Sequence, residues 1–449
     1  MTNVLVYVRP WNYHQFEDLA NRTWNDAHVE FISEHRGQDS SGFISNFYKN
    51  YQETLSDDIR QVEGLTEGQV DDIIIRCRLL RALERPKALR LIKSALLSVE
   101  SVFEKFSPDY VLSVTVDSYI LHVLSIVCEQ RKVEFIGIVP TFINGYFRIT
   151  TTGEKAANRD VSKNEIIEVK KRLLEDQYRP AWLASSSKSI NRRANKSWAR
   201  NLIKPFWFFF YSLIKRDPLN AHYLTTRIIS KRYWSIFPKK YSGITQLRQL
   251  ESICISEKRQ KVFLPLQMSP EATIDYWSAD PSWVDYESKI LRLIDCAPDH
   301  LVFLIKEHPN VLGFRSPGFY KILFSKPNVL ALAPSLPSND ILGLSDLVLV
   351  CTGSVGFEAL LRNKAVLSDS YPFYAPKGQF SSIDQFFNKG VSFSDWPEIM
   401  NADDSIRYVL SGCLKGTFIN NGTWSKYNQQ HLTYNMEVAD SLKSYISEV

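Results

Sequence analysis

A histidine-containing turn follows a short apolar run in the second half of the chain. Residues 301–305 are all apolar and predict a buried strand, and Lys306, His308 and Pro309 stand within the next four positions. Pro309 restricts the residue before it toward extended backbone geometry. An imidazole titrates near neutral pH and can donate a hydrogen bond to a phosphate oxygen. His308, with Lys306 beside it, is therefore a candidate phosphate ligand, and a purely structural histidine is the alternative.

A second turn, rich in small residues, follows the apolar run 347–350. It leads into a predicted helix at 355–363 and contains Thr352, Gly353, Ser354 and Gly356. Such a turn presents backbone N–H groups to an anion at a helix start, although small hydroxyl residues there also serve as ordinary N-caps. Glu358 lies one turn into this otherwise apolar helix. Its carboxylate either completes a capping box with Ser354 or Val355, or faces a cleft and suits the two hydroxyls of a ribose.

Two further segments whose side chains could take part in catalysis or binding also follow predicted strands. Gln267 and Glu271 come just after one strand, and Asp117 ends another. In open α/β sheets ligands bind outside the carboxyl ends of the strands, and glycosyl chemistry needs a carboxylate near the anomeric centre. Asp117 and Glu271 are therefore candidate catalytic groups. A helix N-cap is an equally good interpretation of Asp117.

The elements that must position these residues alternate between strands and helices. Residues 3–8 and 108–117 are predicted strands around a helix-rich stretch at 59–105, and a helix at 118–131 leads to a strand at 133–140. This β-α-β order makes a parallel sheet the default. The same alternation restarts in the second half of the chain. We therefore expect an α/β protein in which two domains with parallel sheets face a cleft.

The middle of the chain breaks this alternation with a basic and aromatic segment. From 188 to 240 there are thirteen Lys or Arg residues and one acid, Asp217, around an aromatic block at 206–211. Rings between basic flanks are typical of an interfacial anchor on an anionic membrane, and a core helix with a solvated basic face is the alternative. No nucleic-acid partner is expected, because no RNP, zinc-finger or helix-turn-helix pattern accompanies the charge.

The domain boundaries follow from this break. We predict an amino-terminal α/β domain for the acceptor, a helical insertion and connection, a second α/β domain for the donor, and a carboxyl-terminal helix, at 1–150, 151–240, 241–425 and 426–449.

Composition and absent motifs narrow the class of protein. The chain has 449 residues and a formal net charge of +5, and its six scattered cysteines form no Cys-x-x-Cys pair. Reduced thiols and the lack of a secretory signal or long apolar span predict a cytoplasmic location, peripheral on the inner membrane face if 188–240 binds lipid. The chain has no Asp-x-Asp, so no metal is expected at a donor diphosphate. Dehydrogenase, P-loop and α/β-hydrolase motifs are also absent.

Four motifs occur in order between residues 260 and 380, about a quarter of the chain. They are Pro265-Leu266-Gln267-x-x-Pro270-Glu271, Lys306-Glu307-His308-Pro309, Thr352-Gly353-Ser354-x-Gly356-x-Glu358-Ala359 and Pro372-Phe373-Tyr374. Together they resemble the bacterial capsule and surface-polysaccharide biosynthesis proteins, a group that includes the capsular Kdo transferases. In this chain two residues separate Gln267 from Pro270, where those transferases have Gln-Pro-Glu.

The resemblance implies a metal-independent glycosyltransferase with two Rossmann-like domains, the GT-B type. Its donor would be a CMP-activated ulosonic acid such as Kdo, with no further cofactor, and its acceptor a growing surface polysaccharide or lipid-linked glycan. His308 would bind the donor phosphate together with Ser354 and neighbouring N–H groups, and Glu358 would hold the nucleotide's sugar. Glu271 would match the family glutamate, while Asp117 as nucleophile is inferred from its position only.

Three other functions remain open at this level. They are a sugar-nucleotide 2-epimerase of the same architecture, a transferase for a UDP- or GDP-hexose, and a non-catalytic partner in glycan assembly. An epimerase would turn over UDP-GlcNAc without an acceptor, and a non-catalytic protein would bind none of the nucleotides CMP, UDP and GDP.

Overall fold

A computed structural model gives the conformation of most of the chain. The residues it describes are 1–56, 58–175, 178–181, 243–311, 315–368, 373–374, 400–419 and 429–448, with the single positions 192, 195, 196, 199, 203, 206 and 219.

The strands of the described residues form two sheets. In chain order they are β1 (Asn3–Val8), β2 (His28–Ser33), β3 (Tyr110–Val114), β4 (Glu134–Pro140), β5 (Tyr146–Ile149), β6 (Gln260–Pro265), β7 (Leu301–Lys306), β8 (Val329–Leu332), β9 (Leu347–Leu349), β10 (Ala365–Leu367) and β11 (Cys413–Lys415).

The helices cover the two sheets and connect their strands. In chain order they are α1 (Tyr13–Thr23), α2 (Phe43–Glu53), α3 (Glu67–Arg76), α4 (Arg85–Phe106), α5 (Tyr119–Arg131), α6 (Lys163–Leu173), α7 (Leu247–Ser256), α8 (Ala272–Asp275), α9 (Tyr286–Asp295), α10 (Pro317–Leu323), α11 (Ser338–Leu344), α12 (Val355–Leu360), α13 (Ala402–Ser411) and α14 (Gln429–Glu448), with 3₁₀ turns at Leu80–Ala82 and Pro281–Val284.

The first sheet has the strand order β11-β5-β4-β3-β1-β2. Its strands β2, β1, β3 and β4 are parallel, whereas β5 and β11 are antiparallel to their neighbours. Parallel strands need crossover helices, which bury both faces of the sheet. Five of the six residues of β1 are accordingly buried.

The second sheet is parallel throughout, in the order β10-β9-β6-β7-β8. All six residues of β7 are buried, including its last residue, Lys306. The apolar run 301–305 thus forms the buried strand that the sequence predicts. Because the strands are parallel, the residues that follow β6, β7 and β9 meet at one edge of the sheet.

These two sheets confirm the predicted α/β class with two Rossmann-like domains. Helix starts agree closely with the sequence analysis, since the predicted helix at 118–131 is α5, whose N-cap is Ser118. The Ser118 hydroxyl accepts a hydrogen bond from the N–H of Leu121 at 3.4 Å. Asp117 is therefore not the N-cap of this helix.

The end of the chain returns to the first unit. Strand β11 pairs with β5, and α14 packs against α1, where the side-chain amide of Asn435 donates to the carbonyl of Gln15 at 2.8 Å. The sequence analysis assigns β11 to the second domain, within 241–425. Backbone pairing with the free edge of β5 brings it to the first sheet instead.

The predicted insertion is only partly described. Helix α6 and the residues around it pack against the core of the second unit through Ile166, Val169 and Leu173. The basic aromatic segment 188–240 lies outside the described residues except for single positions, of which Ile203 and Phe206 are exposed. In the described part of the chain, no helix is long and apolar enough to cross a bilayer.

Candidate functional site

Gln267 joins two of the predicted motifs directly. Its side-chain Oε1 accepts hydrogen bonds from the N–H groups of Cys351 at 3.0 Å and Thr352 at 3.2 Å. A Cβ on Gly353 would lie 2.5 Å from Nε2 of Gln267, so only glycine allows this approach. Gln267 thus positions the turn after β9 and uses two of its amides.

The next three amides of this turn have no hydrogen-bond acceptor in the part of the chain that the structure describes. Among the described residues, the N–H groups of Gly353, Ser354 and Val355 make no hydrogen bond, and the Ser354 side chain does not cap α12. Three adjacent donors at the start of a helix form an anion-binding geometry. Their place at the carboxyl edge of the second sheet agrees with the predicted phosphate site.

Tyr374 holds the same turn through a hydrogen bond to its backbone. Its hydroxyl donates to the carbonyl of Gly353 at 3.3 Å, and its side chain is fully buried. A Cβ on Gly356 would lie 1.9 Å from the Tyr374 hydroxyl, so this position also needs glycine. The Pro-Phe-Tyr motif therefore shapes the turn, although Pro372 itself lies outside the described residues.

Glu307 organises the histidine-containing turn. Its fully buried carboxylate accepts hydrogen bonds from Arg315 Nε at 2.5 Å, from the Tyr320 hydroxyl at 2.6 Å and from the His308 N–H at 2.6 Å. Arg315 also donates to the carbonyl of Gln267 at 2.5 Å. Sequence reasoning missed Arg315 and Tyr320, because no motif or periodicity marks a partner that loops back to this turn.

His308 is held in one tautomer. Its Nδ1 accepts a hydrogen bond from the backbone N–H of Asn310 at 3.2 Å. A backbone amide is only a donor, so Nδ1 carries no proton and the neutral ring bears its proton on Nε2. His308 is partly exposed and Pro309 is buried. The ring can therefore donate from Nε2, as the predicted phosphate contact requires.

Lys306 and Glu358 lie at the same edge of the sheet without forming an ion pair in the described part of the chain. Lys306 is buried and donates to the Ser338 hydroxyl at 3.0 Å. The carboxylate of Glu358 makes no hydrogen bond within the described residues and completes no capping box. Burial raises its pKa to about 7, against the lowering effect of Arg362 and Lys306. A partly buried carboxylate that has no hydrogen-bond donor among the described residues is suited to bind ligand hydroxyls.

Glu271 lies at the end of the segment that follows β6, immediately before α8. Its Oε2 accepts a hydrogen bond from the Thr273 hydroxyl at 3.2 Å, and the Thr352 hydroxyl donates to the Thr273 carbonyl at 3.1 Å. Burial raises the pKa of Glu271 to about 7, and the charge of Asp275 adds to this against the opposing effect of Arg78. The Thr352 side chain is buried and its hydroxyl is used in this contact. The predicted role of Thr352 in donor binding stays a prediction.

Asp117 is bound to an arginine in the first unit. Arg9 donates from both terminal nitrogens to the two oxygens of Asp117, each at 2.7 Å. The side chain of Asp117 is 27% exposed, whereas Arg9 is 4% exposed. The carboxylate thus reaches solvent at the carboxyl edge of the first sheet.

Arg78, Arg81 and Asp275 connect the two units. Arg78 donates to the fully buried Asp275 at 2.6 Å and Arg81 donates to it at 2.9 Å. Burial lowers the pKa of Arg78, but the negative charge of Asp275, with a further contribution from Asp117, raises it above its ordinary value. Arg78 therefore stands in the electrostatic field of both candidate catalytic residues, Asp117 and Glu271.

A second contact between the units lies next to this ion pair. The indole N–H of Trp277 donates to the Thr115 hydroxyl at 3.1 Å, two residues before Asp117. The carboxyl edge of the first sheet thus faces the segment that carries Glu271. Within the described part of the chain, no group of three or more His, Cys, Asp or Glu side chains is arranged to hold a metal ion.

Two Rossmann-like domains whose carboxyl edges face each other define the GT-B class of fold. The chain belongs to the family described as capsule polysaccharide biosynthesis protein, whose profile matches residues 155–385, just over half of the chain. The matched region contains all four motifs.

The solved structures that match the chain include two Kdo transferases and a sugar-nucleotide epimerase. Thermosulfurimonas dismutans KpsC, a β-Kdo 2,7 transferase, is 14% identical with a TM-score of 0.38 over 99% of each chain. The β-Kdo 2,4 transferase of the same organism's KpsC is 14% identical with a TM-score of 0.35 over 75% of this chain and 87% of that one. UDP-GlcNAc 2-epimerase from Neisseria meningitidis, bound to UDP-GlcNAc, is 13% identical with a TM-score of 0.27 over 92% of this chain and 97% of that one. No curated protein sequence matches the chain significantly.

Proposed function

We propose that this protein is a glycosyltransferase that moves a sugar from a nucleotide donor to a growing capsule or other surface polysaccharide. Membership of the capsule biosynthesis family supports the process. The donor site is inferred from three adjacent amides, Gly353, Ser354 and Val355, beside the carboxylate of Glu358, none of which has a hydrogen-bond partner among the described residues. A nucleotide presents a phosphate and a ribose, which need these two kinds of group.

The donor is held by the second domain in this proposal. The amides of 353–355 and Nε2 of His308 bind the phosphate, and Glu358 accepts hydrogen bonds from the ribose hydroxyls. The Glu307–Arg315 ion pair keeps the His308 turn in place, and Gln267 keeps the amides aligned. Such fixed donors stabilise the charge that develops on the leaving phosphate without reorganising at the moment of reaction.

The two carboxylates of the cleft take different roles. Glu271, with a pKa raised to about 7 by burial, holds its proton at neutral pH in a large fraction of molecules and serves as acid or base. Asp117, paired with Arg9, serves as nucleophile or as electrostatic support for the anomeric centre. Arg78, which is paired with Asp275, adds positive charge near both groups.

The finer assignments belong to the same proposal. The donor is a CMP-activated ulosonic acid such as Kdo, transfer needs no metal, and the acceptor is a glycan or lipid-linked glycan. The segment 188–240 brings the protein to an anionic membrane surface where that acceptor is anchored. The exposed side chains of Ile203 and Phe206 agree with such a contact.

A nucleotide screen followed by a transfer assay tests the proposal. Thermal stabilisation by CMP, UDP, GDP and TDP identifies the base, since a ligand that binds the native state raises its apparent stability. His308→Ala should weaken binding of the preferred nucleotide about tenfold, whereas the exposed control Glu129→Gln should not. Transfer should persist in EDTA.

Three outcomes would contradict it. Binding of no nucleotide would leave a non-catalytic partner in glycan assembly. Turnover of UDP-GlcNAc in the absence of acceptor would indicate a 2-epimerase. Unchanged nucleotide affinity in His308→Ala would remove the phosphate role of this histidine.

A further inference from the structure

Arg148 is a buried cation for which the described residues supply no acidic partner. It lies on β5 and is 4% exposed. Its Nη2 donates to the carbonyls of Gly153 and Glu154, each at 3.0 Å. In the described part of the chain, no carboxylate forms an ion pair with it, and its Nε and Nη1 make no hydrogen bond. An uncompensated buried charge is costly to fold, so its retention calls for a compensating ligand.

The carboxylate of Glu154, whose backbone carbonyl contacts Arg148, has other partners. The carboxylate of Glu154 accepts hydrogen bonds from the backbone N–H of Thr151 and from that of Thr152 at 2.7 Å. Burial lowers the pKa of Arg148, against the raising effect of Cys413 and of Glu154. An arginine side chain nevertheless keeps its charge in proteins. The guanidinium is therefore a fixed positive charge that no side chain of the described residues neutralises by direct contact.

Two aromatic rings from the second unit, those of Trp277 and Phe373, lie next to this cation. The guanidinium carbon lies 5.9 Å from the ring centroid of Trp277 and 5.7 Å from that of Phe373. Trp277 closes tightly on the turn beneath, since a Cβ on Gly153 would approach its ring atoms to 2.8 Å. Planar stacking on rings leaves the edges of a guanidinium free for an anion.

The position of Arg148 links it to the proposed donor site. Phe373 packs against Tyr374 with ring centroids 5.0 Å apart, and the Tyr374 hydroxyl bonds the carbonyl of Gly353. Trp277 follows Glu271 by six residues and contacts Thr115 near Asp117. Arg148 thus lies between the two halves of the site, separated by two aromatic side chains from the amides proposed for the phosphate.

We propose that Arg148 forms a second anion subsite, which binds the carboxylate of an acidic sugar carried by the donor. The inference rests on the proposed function, because it assumes a nucleotide sugar in the cleft. A phosphate already has its own donors at 353–355 in that proposal. A nucleotide-activated sugar acid carries one further anionic centre, the sugar carboxylate, and this matches one further cation.

The test compares acidic and neutral ligands on the full chain. The probes are a free eight-carbon ulosonic acid (Kdo), its methyl ester, CMP and UDP-glucose, measured by calorimetry. Wild-type protein should bind the free acid about 10- to 100-fold more tightly than the ester, because a charged hydrogen bond to a buried cation is lost. Arg148→Gln should abolish this preference while CMP affinity stays within about twofold. Arg148→Lys should keep part of the preference, and the exposed Arg407→Gln should keep all of it.

The outcomes separate this subsite from the proposed function. Equal binding of acid and ester by wild-type protein overturns the subsite, and this comparison does not depend on whether a variant folds. A parallel loss of acid and CMP affinity in Arg148→Gln also overturns it and indicates a structural arginine. A wild-type protein that binds no nucleotide overturns the proposed function, whereas nucleotide binding without acid preference overturns the subsite alone.

Discussion

Arg9 and Asp117 form a bidentate ion pair across the carboxyl ends of neighbouring parallel strands. Both nitrogen–oxygen distances are 2.7 Å. Arg9 follows β1 directly, and its guanidinium lies 5.5 Å from the ring centroid of the fully buried Tyr7. The pair fixes the orientation of the Asp117 carboxylate, and a fixed orientation is what a nucleophile at an anomeric centre requires.

Asp117→Asn should abolish sugar transfer by about 10²- to 10⁴-fold, because the amide supplies neither nucleophile nor base. Nucleotide affinity should stay within about twofold, since the contacts proposed for the nucleotide itself lie on the second domain. The variant also leaves Arg9 without its charge partner, so we expect the free energy of unfolding to fall by about 1–3 kcal/mol. Denaturant unfolding measured beside the transfer assay separates these two effects. A folded variant with normal transfer would exclude Asp117 as nucleophile.

Glu271→Gln should change how stability depends on pH. Burial raises the pKa of Glu271 from 4.5 in its ordinary state to about 7 in the folded chain. The folded state then holds the proton more tightly than the unfolded state, so the stability from this group is present at low pH. That stability falls as pH rises through about 7. The variant should therefore gain about 2 kcal/mol relative to wild type between about pH 5 and about pH 8.

The measurement is urea unfolding at several pH values, with the exposed Glu129→Gln as control for the loss of one charge. Transfer activity offers a second readout. If Glu271 acts as an acid, activity should decline above about pH 7. A stability difference that does not vary with pH would contradict the raised pKa.

Glu358→Gln should weaken nucleotide binding about 10- to 100-fold, because hydrogen bonds between a carboxylate and ligand hydroxyls are stronger than those of a neutral amide. Binding of the corresponding 2′,3′-dideoxynucleotide, which lacks the ribose hydroxyls, should be equally weak in wild type and variant. Calorimetry with both ligands measures the effect. A loss that is the same for both ligands would assign Glu358 to another part of the donor.

Gly356→Ala should destabilise the second domain by about 1–3 kcal/mol, because its methyl group would collide with the Tyr374 hydroxyl and shift the turn. Gly343 in α11 is a matched control, since a Cβ there meets no atom within 4 Å. Gly343→Ala should be neutral or stabilise by up to about 1 kcal/mol. Thermal unfolding of the two variants gives the comparison. Equal effects would show that Tyr374 adapts without cost.

Replacing Phe206, Trp207 and Phe209 with Ser should release the protein from anionic liposomes. In the proposed membrane contact, the rings would insert at the headgroup boundary and the basic residues around them would add a salt-sensitive attraction. Co-sedimentation with vesicles containing phosphatidylglycerol, at low and high salt, measures the binding. A wild-type protein that never sediments with such vesicles would contradict membrane attachment.

Much of the fold was accessible from the sequence because local patterns determine it. Apolar runs such as 301–305 and 347–350 are short, bounded by turns and separated by helical stretches, which leaves a parallel α/β sheet as the default. The glycines at 353 and 356 and the polar residues after each strand predict a ligand edge, because parallel strands end together. Strand β11 escaped prediction, because its three residues gain their conformation only by pairing with β5.

The sequence by itself determined which polar residues follow which strands: Gln267, Glu271, His308, Ser354 and Glu358 on one sheet and Asp117 on the other. Only the tertiary structure decided their partners. Gln267 accepts hydrogen bonds from the amides of Cys351 and Thr352, Glu307 is held by Arg315, and Asp117 is held by Arg9. In the described part of the chain, Glu358 and Arg148 have no charged hydrogen-bond partner. Such pairings depend on side-chain positions far apart in sequence, and burial then sets their protonation. Local composition carries no record of either.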